Sequence, residues 1–333
     1  MSILRGEDVV IGVGMENAAA RGTPVTPQMW IPGRTPTGVA PVLEKTPLRE
    51  TRGTKVNSYA SEITQKRVEG DLEFNVRSES IGYLLRSLLG KSTSTSGSGG
   101  TFNHAFEILP NNPQHPTLTL GLSQPGNQDY IYAKALVRSL KLDISPDDLV
   151  RATVSFIGAS EAEKSPAYTV AFSDADYHFR HQDVSIKLAA TVDELPSASA
   201  VKLKNFSLEI PNGGRVDQNI SELNPGDVLA TSFDITGSFE LDLKDTNLHD
   251  VYDGGEYQAL EITIERADVE IGSGVNPSLV ITLPKISISG WTPNRPIDDV
   301  VREQISFMAH YDGDEDYAVE IDLVSATDDY LHA

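Results

Sequence analysis

Polar and apolar residues alternate along most of this chain, and helical spacing interrupts the alternation clearly only once. In 69–76, EGDLEFNV, the residues Leu72, Phe74 and Val76 recur at every second position and share one face of a strand. The period then changes. Ile81, Leu84, Leu85, Leu88 and Leu89 recur at steps of three and four, which is one apolar stripe on a helix. Ser78 is placed to cap that helix, Glu79 falls in its first turn, and Gly90 suits the residue just past its end. Gly82, inside the stripe, costs about 1 kcal/mol relative to alanine, which predicts a close neighbour at that position.

Strand-like runs resume at PTLTLGL (116–122), YIYAKALVRSLKLDI (130–144) and LVRATVSFIGA (149–159). In the second run, Leu136, Leu140, Leu142 and Ile144 are read as one face, and Val137, Ser139, Lys141 and Asp143 as the other. Further strands are predicted at DVSIKLAA, AVKLKNFSLEI, SFDITGSFELDL, ALEITIERADVEI, SLVITLPKISISGW and VVREQISFMAHYD, with a short helix or turn at KDTNLHDVYDGG (244–255). Turn signals every 8–15 residues and one good helix predict a mainly β, largely antiparallel protein.

Breakers divide the chain. Residues 1–60 carry Pro24, Pro27, Pro32, Pro36 and Pro41 and read as an extended N-terminal arm. Residues 61–160 read as a first β domain, with KSTSTSGSGG (91–100) as a flexible Ser/Gly loop. Residues 161–182 read as a polar connector, and 183–333 as a second β domain.

The two domains read as related. DDLVRATVSF (147–156) and DDVVREQISF (298–307) match at Asp-Asp, Val-Arg and Ser-Phe. EGDLEFNV (69–76) resembles TGSFELDL (236–243), and each precedes a short helical pattern ending at Gly90 or Gly254. LKLDI (140–144) is aligned with ISISG (286–290), which implies a turn five residues longer in the second half. A fixed element order with slippage in loops is the mark of tandem duplication, so the expected fold is two tandem β-sandwich domains, each with a short flanking helix. Asp147/Asp148 and Asp298/Asp299 are then structural turn residues rather than two acid sites.

Charge changes the picture next. The net formal charge is −21, but residues 1–160 carry 16 basic and 15 acidic side chains, whereas 161–333 carry 11 and 33. A strongly acidic half lacks the basic footprint of sequence-specific nucleic-acid binding. There is no cysteine, hence no disulfide framework or thiolate site. MSILRGEDVV has no apolar signal core, and no apolar run approaches the roughly 18–20 residues of a membrane span, so a soluble protein made in a cytosol without a membrane anchor is expected.

Candidate chemistry is sparse. IGVGMEN has Asn17 where a dinucleotide loop needs its third glycine. DGDED (312–316) lacks the glycine and glutamate of a calcium loop, with Tyr317 and Leu323 in those places, and reads as a solvated acidic turn. His178 and His181, near Asp174, Asp176 and Asp183, point to opposite faces if extended. No nucleophile elbow, P-loop or HExxH is present. No catalytic, cofactor-binding or metal-binding residue is assigned, and no enzyme is expected.

Read in order, VVIGVGMENAAARGTPVTPQMWIPG, GDLEFNVRSESIGYLLRSLLG, GSFELDLKDTNLHDVYDGG, LVITLPKISIS and DDVVREQISFMAHYD resemble the major tail tube proteins of long-tailed bacteriophages with non-contractile tails. The resemblance covers almost the whole chain and rests on the order of segments, not on one motif. It implies a virion protein, made in the host cytoplasm, that self-assembles into stacked rings around a tape-measure protein and abuts the proteins at the tail ends. DNA later passes through the lumen without sequence-specific binding. Six tube domains per ring would need three duplicated chains. The runner-up is a hexamer in which the first half is decoration. The arm at 1–60 is expected to reach the next ring, and acids of the second half to line the lumen. A carbohydrate-binding or adhesin-like β-sandwich, and then a glycosidase, are the alternatives outside this family.

Overall fold

The structure, a computed structural model, describes residues 5–35, 37–244 and 246–331. Positions 1–4 and Pro36 of the expected arm, Asp245 of the second helical pattern, and the last two residues lie outside the described residues. The chain is mainly β. Its elements are β1 (Val10–Met15), β2 (Met29–Ile31), β3 (Ala40–Arg49), β4 (Ser58–Asn75), α1 (Ser80–Leu89), β5 (Gly90–Ser96), β6 (Phe102–Ile108), β7 (Leu118–Ser123), β8 (Asp129–Ile144) and β9 (Arg151–Lys164). There follow β10 (Val184–Ala189), β11 (Leu203–Pro211), β12 (Arg215–Asp217), β13 (Asp227–Leu229), β14 (Thr236–Asp242), α2 (Asn247–Gly254), β15 (Tyr257–Glu265), β16 (Ser278–Asn294), β17 (Arg302–Ala309) and β18 (Glu320–Ser325).

All strand pairings are antiparallel, and all strands but the small β12–β13 pair join one sheet. Within it, two sets of five share one order: β1-β7-β8-β9-β4 and β10-β15-β16-β17-β14. Their registers agree as well. Leu72 faces Val154 and Gly70 faces Phe156 in the first set; Phe239 faces Ile305 and Gly237 faces Phe307 in the second. Leu140 pairs with Val154 as Trp291 pairs with Ile305, both 151 residues on. Even the irregularities coincide. β8 has a bulge between Val137 and Ser139, β16 has one between Ile288 and Gly290, and the β7–β8 and β15–β16 ladders slip at Leu118/Leu120 and Gln258/Leu260. Bulges re-aim side chains and persist as designed features of a sheet. This register corrects the alignment of LKLDI with ISISG: residues 140–144 correspond to 291–295, and the turns that follow are of equal length.

Strand pairing joins the halves at two places. β11 inserts between β8 and β14, with Leu208 opposite Leu142 and Gly237. β18 pairs with β6, with Ile321 opposite Phe106. One contiguous core accordingly runs through the molecule. It includes Ile11, Leu72, Phe74, Leu84, Leu120, Leu142, Phe156, Leu208, Phe239, Ile281, Phe307 and Leu323.

Four further expectations are corrected. The expected extended arm at 1–60 is largely built into the sheet among its described residues: Ile11, Val13 and Met15 on β1 are buried and pair with β7, while the β3–β4 hairpin projects. KSTSTSGSGG is not a loop throughout, because Gly90–Ser96 forms β5 against β6; alternating Ser and Thr suits an edge strand exposed on both faces. The bulge at Arg138 reverses the face reading in β8. Val137 joins Leu140 in the main core, whereas Leu136 turns to the other side, under Val228 and Ala230. The 161–182 connector starts as the end of β9 and then runs back along the first half, where Phe179 is fully buried and bridges the backbones of Val76 and Val150.

Candidate channel face and assembly edges

Seven adjacent strands, β4-β9-β8-β11-β14-β17-β16, form a band with one greasy and one polar face. Asn75, Arg151, Asp143, Ser207, Ser238, Ser306 and Gly290 are successive neighbours in one row across it. A second row joins Glu73, Thr153, Lys141, Glu209 and Thr236. Residues alternating with these, such as Phe74, Val154, Leu142, Phe206, Phe239 and Ile305, are buried against α1 and the rest of the core. The polar face is concave where Asp143, Arg151, Ser207, Ser238, Glu240 and Gln304 line a shallow depression.

Carboxylates outnumber cations on this face. Asp71, Glu73, Asp143, Glu209, Glu240 and Asp242 stand against Lys141, Arg151 and Arg302, with Arg34 3.6 Å from Glu73 and Lys204 3.3 Å from Asp242 at its margins. Each cation is already engaged: Lys141 with Asp143 at 3.1 Å, Arg151 with Asp148 at 2.8 Å, and Arg302 with Glu240 and Asp242 at 3.8 Å each. Hydroxyl and amide groups tie the remainder, Ser207 Oγ donating to Asp143 at 2.8 Å and Asn205 Nδ2 to Glu240 at 2.9 Å. Among the described residues such a surface offers no free cation cluster to hold phosphates, and its net charge is slightly negative.

The paired aspartates sit in matching turns. The Leu149 N–H donates to Asp148 Oδ1 at 2.7 Å, and the Val300 N–H donates to Asp299 Oδ1 at the same distance. Each turn also leans on an arginine three residues on, Arg151 and Arg302. The Leu149 amide, helped by Arg34 and Arg151, holds Asp148 below the usual carboxylate range.

Three buried carboxylates gave no local sign in the sequence. Asp176 accepts the N–H groups of Glu79 and Ser80 at 2.8 and 3.2 Å, so the cap of α1 comes from the connector and not from Ser78. Burial raises the Asp176 pKa. Glu79 reaches the C-terminal segment, accepting from the Ala326 and Thr327 amides at 3.0 and 2.9 Å. Glu16 accepts from Gly22, Thr117, Thr119 and Lys134, with all four donors within 3.0 Å. Fully satisfied carboxylates of this kind lock loops to strands.

The other sequence candidates do not converge. Gly12 and Gly14 lie inside β1, against Pro27 and Trp30 and against Val25, with no phosphate-binding turn. His181 Nδ1 lies 3.1 Å from the Asp148 carbonyl, while the His178 carbonyl accepts from Arg266 and Asp183 pairs with Arg180. Asp312–Asp316 closes as a local turn, with the Asp314 N–H on Asp312 Oδ1 at 2.9 Å. That turn is an insertion. β9 runs unbroken, whereas the corresponding strand is split into β17 and β18 with seven more residues between them, the spacing going from 151 to 158. Among the described residues, no group of three or more His, Asp or Glu side chains is arranged to hold a metal ion, and no helix is long and apolar enough to cross a membrane.

Two open strand edges stand out among the described residues. The polypeptide from Ser289 to Asn294 pairs with β17 on one side only, and residues 37–41 pair only with β4. Beside them, the β3–β4 hairpin exposes Leu43, Leu48, Tyr59 and Ile63. Edges and apolar side chains of this kind are normally covered.

No curated protein matches the chain significantly. The family model described as phage tail tube protein matches residues 6–309, nearly the whole chain and all of the seven-stranded band. The chain therefore belongs to the phage tail tube protein family, whose members are structural components of the virion tail.

Proposed function

We propose that this chain self-assembles into rings that stack into the tail tube, and that three copies complete each ring. The observation that carries the reading is the repeated register: two five-stranded sets share strand order, pairing and both bulges. A repeat written in tandem in one chain supplies two ring positions per copy, so six positions need three chains. The concave polar face of the band is the lumen wall. Its excess carboxylates repel the phosphate backbone, so that DNA slides during ejection rather than adhering. Before ejection the same wall surrounds the tape-measure protein. The acids of this face come from both halves, Asp71 and Asp143 as well as Glu240 and Asp242. The β3–β4 hairpin is the described segment of the expected arm that leaves the chain's own body and can contact neighbours. Electron microscopy of the purified chain tests the reading: rings or tubes with an open channel are expected, and monodisperse single chains at high concentration would contradict it.

A further inference from the structure

The internal joint between the halves has every part needed to describe a second joint, one that the chain leaves unmade. This inference rests on the ring reading above and says which residues close the ring. Inside the chain, the outer edge of β8 at Ser139–Ile144 receives β11, with Leu208 opposite Leu142 and Ile210 opposite Leu140. The counterpart of that edge, 151 residues on, is Gly290–Arg295 of and beyond β16, and it has no strand on it among the described residues. β11 itself has a counterpart. It lies along β14 with Leu208 opposite Gly237, and the segment at Val39 lies along β4 in the matching place, with the Gly38 N–H on Asp71 and Ala40 opposite Glu69. Among the described residues, no strand pairs with the outer edge of that segment either.

A knob and a socket repeat the same relationship. In the turn after β8, Ile144, Ser145 and Pro146 line a cavity together with Val184, Ile186, Val201, Leu203 and Phe206 from the other half. Ile297 stands at the position of Pro146 in the second half, and it is 99% exposed. Val9 and Ile11 stand 175 residues before Val184 and Ile186, since β1 meets β7 in the register in which β10 meets β15. With Ile31, Thr37 and Leu72, and with Arg5, Glu7 and Arg34 also in the lining, they border a cleft of about 400 Å³ that is open among the described residues. A fully exposed isoleucine and an open cleft with apolar residues at its floor, at matching positions, are complementary parts.

The hairpins complete the match. The excursion between β11 and β14, which carries β12 and β13, lays Val228 and Ala230 over Leu136 and Ile157 of the first half. The excursion between residue 40 and the body of β4 is the β3–β4 hairpin, and the counterpart of Ile157 is Met308, 41% exposed.

We propose that a second copy of this chain seats residues 37–41 on the free edge of β16, receives Ile297 in its Val9–Ile11 cleft, and lays its β3–β4 hairpin over Met308. The joint is antiparallel, with Val39 opposite Pro293 and Ala40 opposite Thr292. Pro293 and Pro41 each lack an N–H, so this joint has fewer ladder bonds than the β8–β11 joint, and single chains have a blunted edge until a ring closes. Charge at the seam is light, with Arg295 the one ionisable side chain among 290–295 and none among 37–41.

The absence of native cysteine makes the test clean. Ala40 and Thr292 form a non-hydrogen-bonded pair in this register, with Cα atoms about 4.5 Å apart, within disulfide reach. The double variant Ala40→Cys/Thr292→Cys, oxidised after assembly, is expected to give a ladder of two and then three covalently joined chains on a non-reducing gel, and either single variant none. The variant Ile297→Glu is expected to keep the parent's unfolding midpoint and to lose rings at least tenfold. Rings or tubes that form with no cross-linked chains, or with Ile297→Glu undiminished, would overturn this joint and leave the tube reading standing. Failure of the unaltered chain to form any ring would overturn the tube reading itself. If the cysteine variant alone fails to assemble, hydrogen exchange on unaltered tubes decides: slowed exchange at 37–41 and 290–294 relative to dissociated chains supports the joint, and unchanged exchange overturns it.

Discussion

Leu208 of β11 stands directly opposite Leu142 of β8, and this pair lies at the centre of the seam where the second half of the chain is stitched into the first. Both side chains are buried, at 0% and 1% exposure. Leu208→Ala is therefore expected to destabilise the whole chain by about 2–5 kcal/mol, as for other buried leucines. Denaturant unfolding should remain a single transition. Two separate transitions would mean that the halves fold independently and that the seam is not part of one core.

Gly82 has no room for a side chain. A Cβ there would fall 2.1 Å from the ring of Tyr330, which is buried and hydrogen-bonds to Ser325 at 2.9 Å. In an open helix, Gly→Ala gains about 1 kcal/mol. Here overpacking should reverse the sign and cost about 1–3 kcal/mol. In a Tyr330→Ala background the same change should be neutral or stabilising, and thermal unfolding of the four proteins checks it.

Asp176→Ala removes the acceptor for two buried amides at the start of α1. A loss of about 1–3 kcal/mol is expected, the cost of leaving buried donors unsatisfied. Ser78→Ala should also cost stability, but through the lost Tyr177 N–H bond at 3.1 Å and not through the helix cap. Circular dichroism melts of both variants separate the two effects by size.

The β6–β18 seam sets Glu320 opposite Glu107 and beside Asp322. Burial first, and these carboxylates second, raise the pKa of both Glu320 and Asp322. A carboxyl raised in the folded state holds its proton there more tightly than in the unfolded chain. Its contribution to stability is therefore complete at pH below the unfolded value and is lost as pH rises through the folded one. Glu320→Gln should accordingly stabilise the chain more at pH 7 than at pH 4. Unfolding midpoints across that range test this; a pH-independent difference would contradict it.

Replacing residues 45–63 by an Asn-Gly turn, which joins Glu44 to Thr64, removes most of the exposed β3–β4 hairpin. Because that stretch buries almost nothing, the unfolding midpoint should hold while tube formation is lost. Tubes of normal length from the shortened chain would rule the hairpin out as an assembly element.

Much of this fold was legible from residue periodicity. The stripe from Ile81 to Leu89 and the alternation through Leu72, Phe74, Val154 and Phe156 place α1, β4 and β9, since one face of each is buried and the pattern records which. The Asp-Asp turns were legible for the same reason, since the apolar face that follows excludes the aspartates from the core. What escaped was either non-local or aperiodic. β5 hid in Ser and Thr because neither of its faces is apolar along its length. The bulge at Arg138 shifts the alternation by one residue, so Leu136 and Leu140 read as one face when they lie on two. The true counterpart of LKLDI is WTPNR at 291–295, which carries no apolar alternation, so the constant spacing of the repeat did not show in the pattern. Asp176 caps a helix almost a hundred residues earlier, and no local pattern announces it. The polar face was visible strand by strand, but the row from Asn75 to Ser306 exists only once β11 bridges the halves.

The central claim is that one chain carries two positions of a six-position ring, and the symmetry of the assembled tube tests it most directly. A cryo-electron microscopy reconstruction should show threefold rings of three chains, each ring with six similar lobes, and the Asn75–Ser306 face on the channel. Sixfold rings of six chains, with one half of each chain outside the channel wall, would contradict it.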